Sequence, residues 1–134
     1  MKNLSPILLV EDDQVDVMTV KRSFKDLKVA NELVVTSNGE EALEYLENPQ
    51  TQRPCVILLD INMPRMNGLE FLKQFRRYHG IKQIPVVMIT SSQEQQDVNR
   101  CVEMGIAGYI LKSVEYHQFL KSIQILDAYW TIIE

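Results

Sequence analysis

The chain has 134 residues, a length that suits one domain built on one core. Hydrophobic residues make up 46% and charged residues 24%, the composition of an ordinary soluble globular protein. A formal net charge of −4 argues against an electrostatic nucleic-acid binder, and no apolar run approaches the ~20 residues of a membrane span.

The start, Met1 to Pro6, leads straight into a short apolar run and carries no signal-peptide pattern. Cys55 and Cys101 lie in apolar surroundings and read as thiols in a reducing compartment. A cytoplasmic protein is therefore expected. Ile7 to Val10 is a strand buried on both faces, ending in Glu11-Asp12-Asp13. Val17, Val20, Phe24 and Leu27 then form one apolar stripe of a helix, with Asp13 as its cap. Leu33 to Thr36 is a second strand. Ser37 with Glu40 three residues on predicts a capping box, and Ala42, Leu43 and Leu46 the inner face of the helix it starts.

A polar loop, Asn48 to Pro54, precedes a third apolar run that ends abruptly in Asp60. Pro64, Asn67 and Gly68 mark the loop after it. The next helix buries residues among Leu69, Phe71, Leu72 and Phe75. Pro85 opens a fourth strand, Val86 to Ile89, ending at Thr90. Ser92 with Gln95 predicts another cap, Val98, Cys101 and Val102 an inner face, and Gly105 a helix stop. Gly108 to Leu111 is the fifth strand, ending at Lys112, and Ser113 can cap a last helix to about Ile133. Strand and helix alternate five times. The expectation is an α/β single-domain (βα)5 doubly wound fold over residues 1–134, with a flavodoxin-like parallel sheet in the order 2-1-3-4-5 and no output domain.

Glu11, Asp12, Asp60, Thr90 and Lys112 all stand at strand ends on one edge of that sheet. Ligands of open α/β sheets bind at this edge, where the strand order reverses. Two like charges about 4 Å apart repel by roughly 4 kcal/mol at an effective dielectric of about 20. Lys112 offsets only part of that for three carboxylates, so a proton or a divalent cation must supply the rest. Oxygen ligands suit Mg²⁺, which keeps several waters: Asp12 and Asp60 direct, Glu11 through water, and the backbone carbonyl of Asn62 as a further oxygen. Asp60 then becomes a competent nucleophile toward phosphorus. Mg²⁺, the Lys112 ammonium and the Thr90 hydroxyl can each take a phosphoryl oxygen.

Through Leu9-Val10-Glu11-Asp12, Leu59-Asp60-Ile61-Asn62-Met63-Pro64, Gly68, Ile89-Thr90-Ser91 and Gly108-Tyr109-Ile110-Leu111-Lys112, the chain resembles the receiver domains of two-component response regulators. The resemblance covers nearly the whole chain. It implies Asp60 as the phosphoacceptor, and Glu11, Asp12, Asp60 and the Asn62 carbonyl as the Mg²⁺ site. It further implies Thr90 and Tyr109 as a switch pair, Lys112 as the phosphate-binding lysine, and a sensor histidine kinase as phosphodonor. The family usually has Pro after this lysine, with a cis bond, whereas Ser113 stands here. The alternatives are a strained cis Lys112-Ser113 bond or a rebuilt trans loop. The Glu-Asp-Asp start, Lys-Ser and an aromatic-rich end look like the small regulators paired with cyanobacterial phytochromes.

Phe119, Ile123, Leu126 and Trp130 form an inner face of the last helix, while Ile125, Tyr129 and Ile132 make a second stripe. That second stripe is either part of a broad buried face or a homodimer surface with the neighbouring elements, and a homodimer is expected. His79 and His117 have no partner at metal spacing. Arg76 to His79 reads as a solvated basic helix end, and no nucleic-acid or membrane partner is expected. An aspartyl-nucleophile phosphatase is the alternative function, but Asn62 stands where its general acid would be. A flavin or nucleotide module would need a phosphate loop where Glu11-Asp12-Asp13 repels phosphate. A non-catalytic pseudo-receiver scaffold is the remaining alternative.

Overall fold

The computed structural model describes residues 5–61, 63, 66–78, 84–90, 95–112 and 115–132. Asn62, Pro64, His79, Ser92, Ser113 and Ile133 lie outside them, as do the side chains of Val98, Cys101, Tyr129, Trp130 and Ile132. The expectations that rest on these residues, including the isomer of the Lys112-Ser113 bond, therefore fall outside the description.

Among the described residues, five strands alternate with five helices: β1 (Ile7–Val10), α1 (Gln14–Asp26), β2 (Leu33–Thr36), α2 (Gly39–Glu47), β3 (Val56–Asp60), α3 (Gly68–Tyr78), β4 (Val86–Thr90), α4 (Gln95–Glu103), β5 (Gly108–Leu111) and α5 (Tyr116–Ile132). All neighbouring strands run parallel, in the order β2-β1-β3-β4-β5, as the alternation predicts. The three inner strands are buried along their whole length, because helices cover both faces of the sheet.

Side chains alternate across each strand, and two separate cores result. Leu8, Val10, Ile57, Leu59, Val86 and Met88 pack with Ala42, Leu43, Phe71, Leu72 and Phe75 of α2 and α3. Ile7, Leu9, Val56, Leu58, Val87, Ile89 and Ile110 pack with Val17, Val20 and Phe24 of α1 and Phe119 and Ile123 of α5. Phe71 and Phe75, one helical turn apart, stack with ring centroids 5.7 Å apart.

Helix ends follow local chemistry. Asp13 caps α1, its Oδ1 accepting from the amides of Val15 (2.8 Å) and Asp16 (3.2 Å). At the other end Lys28 takes φ 55°, and Val29 N–H reaches back to Phe24 O at 2.9 Å, the arrangement usually closed by glycine. The cap of α2 corrects the sequence reading by one residue. Asn38, not Ser37, accepts from the Glu41 amide (3.0 Å), and the Glu41 carboxylate, not that of Glu40, accepts from the Ser37 amide (2.9 Å). The reciprocal pairing survives, shifted along the chain, because an Asx side chain reaches the third amide as readily as a hydroxyl does. Gly105, at φ 85°, ends α4 as expected.

Candidate functional site

The carboxyl edge of the sheet brings the polar strand ends together. Asp60 is the last residue of β3 and only 2% exposed; Thr90, the last of β4, is fully buried. Strand register pairs Asp60 with Ile89 and Thr90 with Leu111, which puts Lys112 immediately beyond. The Lys112 amide donates to the Thr90 carbonyl at 2.8 Å, tying the two ends to each other. Glu11 follows β1 directly, and its amide donates to the Thr36 carbonyl at 3.0 Å. That bond turns its side chain into the crevice, where it is also 2% exposed.

Gly68 closes the crevice floor. Its amide donates to the Ile61 carbonyl at 2.8 Å. A Cβ there would collide with the Asp60 carbonyl oxygen and stand 2.8 Å from the Ile61 Cα. Only glycine lets α3 start this close to the end of β3.

The Lys112 ammonium sits at the centre. Its Nζ lies 2.7 Å from Asp60 Oδ1, 3.0 Å from Asp16 Oδ2 and 3.1 Å from Glu11 Oε2. An ammonium has three donors, and all three are engaged. Burial alone would lower its pKa, but the hydrogen bond and charge of Asp60, then the charge of Glu11 and the bond to Asp16, hold it above its ordinary value. Glu11 moves the other way for a carboxyl group. Burial first, then the neighbouring Asp60 charge, push its pKa up to about 8, against Lys112 and the Asp13 amide. Protonation of Glu11 is thereby favoured when no other cation balances the cluster.

Glu11, Asp12 and Asp60 each offer a carboxylate oxygen, all within 4.8 Å of one another. Asp12 is exposed and the other two buried. This donor set is all oxygen, partly open to water, and holds more negative charge than one ammonium balances. It fits a hard, hydrated divalent cation such as Mg²⁺.

Of the residues expected at the site, Glu11, Asp12, Asp60, Thr90 and Lys112 thus share one strand edge, and Glu11, Asp12, Asp60 and Lys112 form one contiguous cluster. Tyr109 lies on β5, opposite Met88, and is 49% exposed. Asp13 serves as a helix cap, as expected. The grip of Asp16 on Lys112 was not anticipated from the sequence. One signal was available: Asp16 lies in the first turn of the helix that follows Glu11-Asp12, so that turn must sit over the same strand edge. Beside Lys112 a cleft of about 270 Å³ opens between α1 and α5, lined by Asp16, Thr19, Val20, Arg22, Tyr116 and Phe119. Arg22 covers the Tyr116 ring at 4.1 Å, and the Tyr116 hydroxyl donates to Asp26 at 2.7 Å.

Comparison with known proteins agrees with this geometry. The family described as "Response regulator receiver domain" matches residues 7–124. Response regulator Rcp1 of Synechocystis is 33% identical over 128 residues, spanning 92% of this chain and 87% of Rcp1. A structure of Rcp1 in its Mn²⁺-bound form superposes with a TM-score of 0.82 at 32% identity, over 96% of this chain and 95% of that one. The bacteriophytochrome response regulator RtBRR gives 0.78 at 42% identity, over 92% and 78%. The phosphorylated cyanobacterial phytochrome response regulator RcpA gives 0.85 at 29% identity, over 98% and 97%. A signalling role as a phosphorylation-activated regulator thus takes precedence over the phosphatase-like and scaffold alternatives. From the strand-edge cluster, the parallel sheet order and the match over residues 7–124, the chain belongs to the response regulator receiver domain family.

Proposed function

We propose that Asp60 is the phosphoacceptor of this regulator. One Asp60 carboxylate oxygen attacks the phosphorus of a phosphohistidine on a sensor histidine kinase. The new P–O bond forms as the P–N bond breaks, and the freed imidazole nitrogen takes a proton. Glu11, Asp12, Asp60 and the backbone carbonyl of Asn62 hold Mg²⁺, which supplies the positive charge that lets two anions approach each other. Lys112 and Thr90 take phosphoryl oxygens, the first as an ammonium and the second as a hydroxyl donor. The observation carrying this reading is the Lys112 ammonium 2.7 Å from Asp60 within a three-carboxylate cluster.

Phosphorylation adds about −1.5 to −2 charges at the crevice. Thr90 turns toward the new oxygens and Tyr109 follows, which remodels the surface formed by α4, β5 and α5. The similarity to RcpA, Rcp1 and RtBRR supports a phytochrome as the kinase. Ile125, 70% exposed on α5, supports a homodimer through that helix and its neighbours. The chain acts as a receiver domain in the cytoplasm. Among the described residues no helix is long and apolar enough to cross a membrane.

The test is incubation with acetyl phosphate and Mg²⁺ followed by intact-protein mass spectrometry. A gain of ~80 Da that disappears in Asp60→Asn is expected. A gain that persists in Asp60→Asn would overturn the assignment.

A further inference from the structure

The three acceptors around the Lys112 ammonium are not equivalent. Glu11 and Asp60 both belong to the carboxylate cluster that fits Mg²⁺, whereas Asp16 does not. It projects from the first turn of α1 with its side chain 32% exposed, at the mouth of the cleft between α1 and α5. A divalent cation that draws Glu11 and Asp60 toward itself weakens two of the three bonds that hold the ammonium. The 3.0 Å bond to Asp16 lies outside that competition. Lys112 Nζ also satisfies Asp16 from the same point at which it lies 2.7 Å from Asp60. Asp16 therefore does not draw the lysine away from the acceptor.

We infer that Asp16 is a positioning residue for the phosphotransfer reaction, a tether that keeps the Lys112 ammonium beside Asp60 once the metal engages the other two carboxylates. This rests on the reading of Asp60 as phosphoacceptor. A fixed donor contributes more to a charged transition state than one that must first be ordered. Truncating Asp16 removes the tether but also removes a negative charge near an anionic phosphodonor. The two effects have opposite signs. Loss of the tether slows phosphorylation, and loss of charge alone speeds it.

The experiment compares wild type, Asp16→Ala, Asp16→Glu and Asp13→Asn. Asp13→Asn removes the same charge from the same end of the helix, keeps a capping side chain, and leaves the three carboxylates around the Lys112 ammonium in place. The phosphorylation rate with acetyl phosphate at saturating Mg²⁺ is followed by mass, and Mg²⁺ affinity by intrinsic fluorescence. Asp16→Ala is expected to phosphorylate roughly two- to fivefold more slowly, the range of one partly exposed ion pair. Its Mg²⁺ affinity should stay within about twofold of wild type, since Asp16 is not in the metal cluster. Asp16→Glu should recover most of the rate, and Asp13→Asn should equal or exceed wild type. An Asp16→Ala rate at or above wild type would overturn the tether, and so would an equal fall in Asp13→Asn. A parallel loss of Mg²⁺ affinity would reveal a merely structural defect and overturn it too. Wild-type protein that gains no mass would instead bring down the reading of Asp60, and the tether with it.

Discussion

Replacing Lys112 by Met should destabilise the protein most when no divalent cation is present. At ~3 Å and an effective dielectric of about 20, each of the three ammonium–carboxylate contacts has a gross Coulomb term of roughly 5 kcal/mol. Most of that is cancelled by the cost of dehydrating the ions, and removing one partner of a buried pair costs about 3–5 kcal/mol in practice. The Lys112 side chain is 21% exposed, and Glu11 can take a proton to relieve the remaining repulsion, so the low end applies. A loss of about 3 kcal/mol is expected in urea unfolding with EDTA. Mg²⁺ should then restore part of it. With the competing ammonium gone, Mg²⁺ binding should tighten about tenfold, and linkage returns ~1.4 kcal/mol at saturation. The Mg²⁺-induced gain in stability must therefore be larger in Lys112→Met than in wild type. An equal gain in both proteins, or no loss in EDTA, would refute the picture of Lys112 as the cluster's resident counter-charge.

Other consequences can be checked separately. Glu11 has a folded-state pKa of about 8, above its unfolded value of 4.5. The native state therefore binds the extra proton, and metal-free stability should fall as pH rises from about 5 to 8, by at most ~1.4 kcal/mol per unit. Unfolding in EDTA across that range should show a falling curve that Mg²⁺ flattens; a rising curve in EDTA would contradict it. Gly68→Ala forces a Cβ into the backbone at the end of β3 and should cost about 1–3 kcal/mol in chemical denaturation, with weakened Mg²⁺ binding. Lys28→Gly relieves a left-handed residue at φ 55° and should stabilise by up to ~1 kcal/mol, seen as a higher melting temperature. Thr90→Ala should still be phosphorylated but lose the accompanying change at Tyr109, read by backbone amide NMR; an unchanged NMR response would sever the proposed coupling.

Much of this was legible in the sequence because the fold repeats one instruction. Short apolar runs such as Ile7 to Val10 end in a polar residue, and a helix with one apolar stripe follows. A strand's last residue is named by where hydrophobicity stops, so Glu11, Asp60, Thr90 and Lys112 could be placed on one edge without coordinates. Helix starts were harder. Ser37, Asn38, Glu40 and Glu41 offer two overlapping capping frames, and the choice between them depends on where α2 meets its neighbours. Gly39, for instance, donates its amide to the Met66 carbonyl at 3.2 Å. Asp16 was hidden for a different reason. Its bond to Lys112 joins residues far apart in the chain, through the tilt of a helix over the sheet, and a linear pattern does not encode that tilt. The upward shift of the Glu11 pKa was legible only as a charge imbalance, since it depends on burial and on the proximity of Asp60.

The sheet is one backbone thick, and its two coats of side chains are separate communities, one answering to α2 and α3, the other to α1 and α5. A methyl gained or lost on one coat need not be compensated on the other. Such a wall can drift in sequence on either flank alone while the polar rim at its edge stays in register. One scaffold can thus be refitted for new docking surfaces without touching its chemistry.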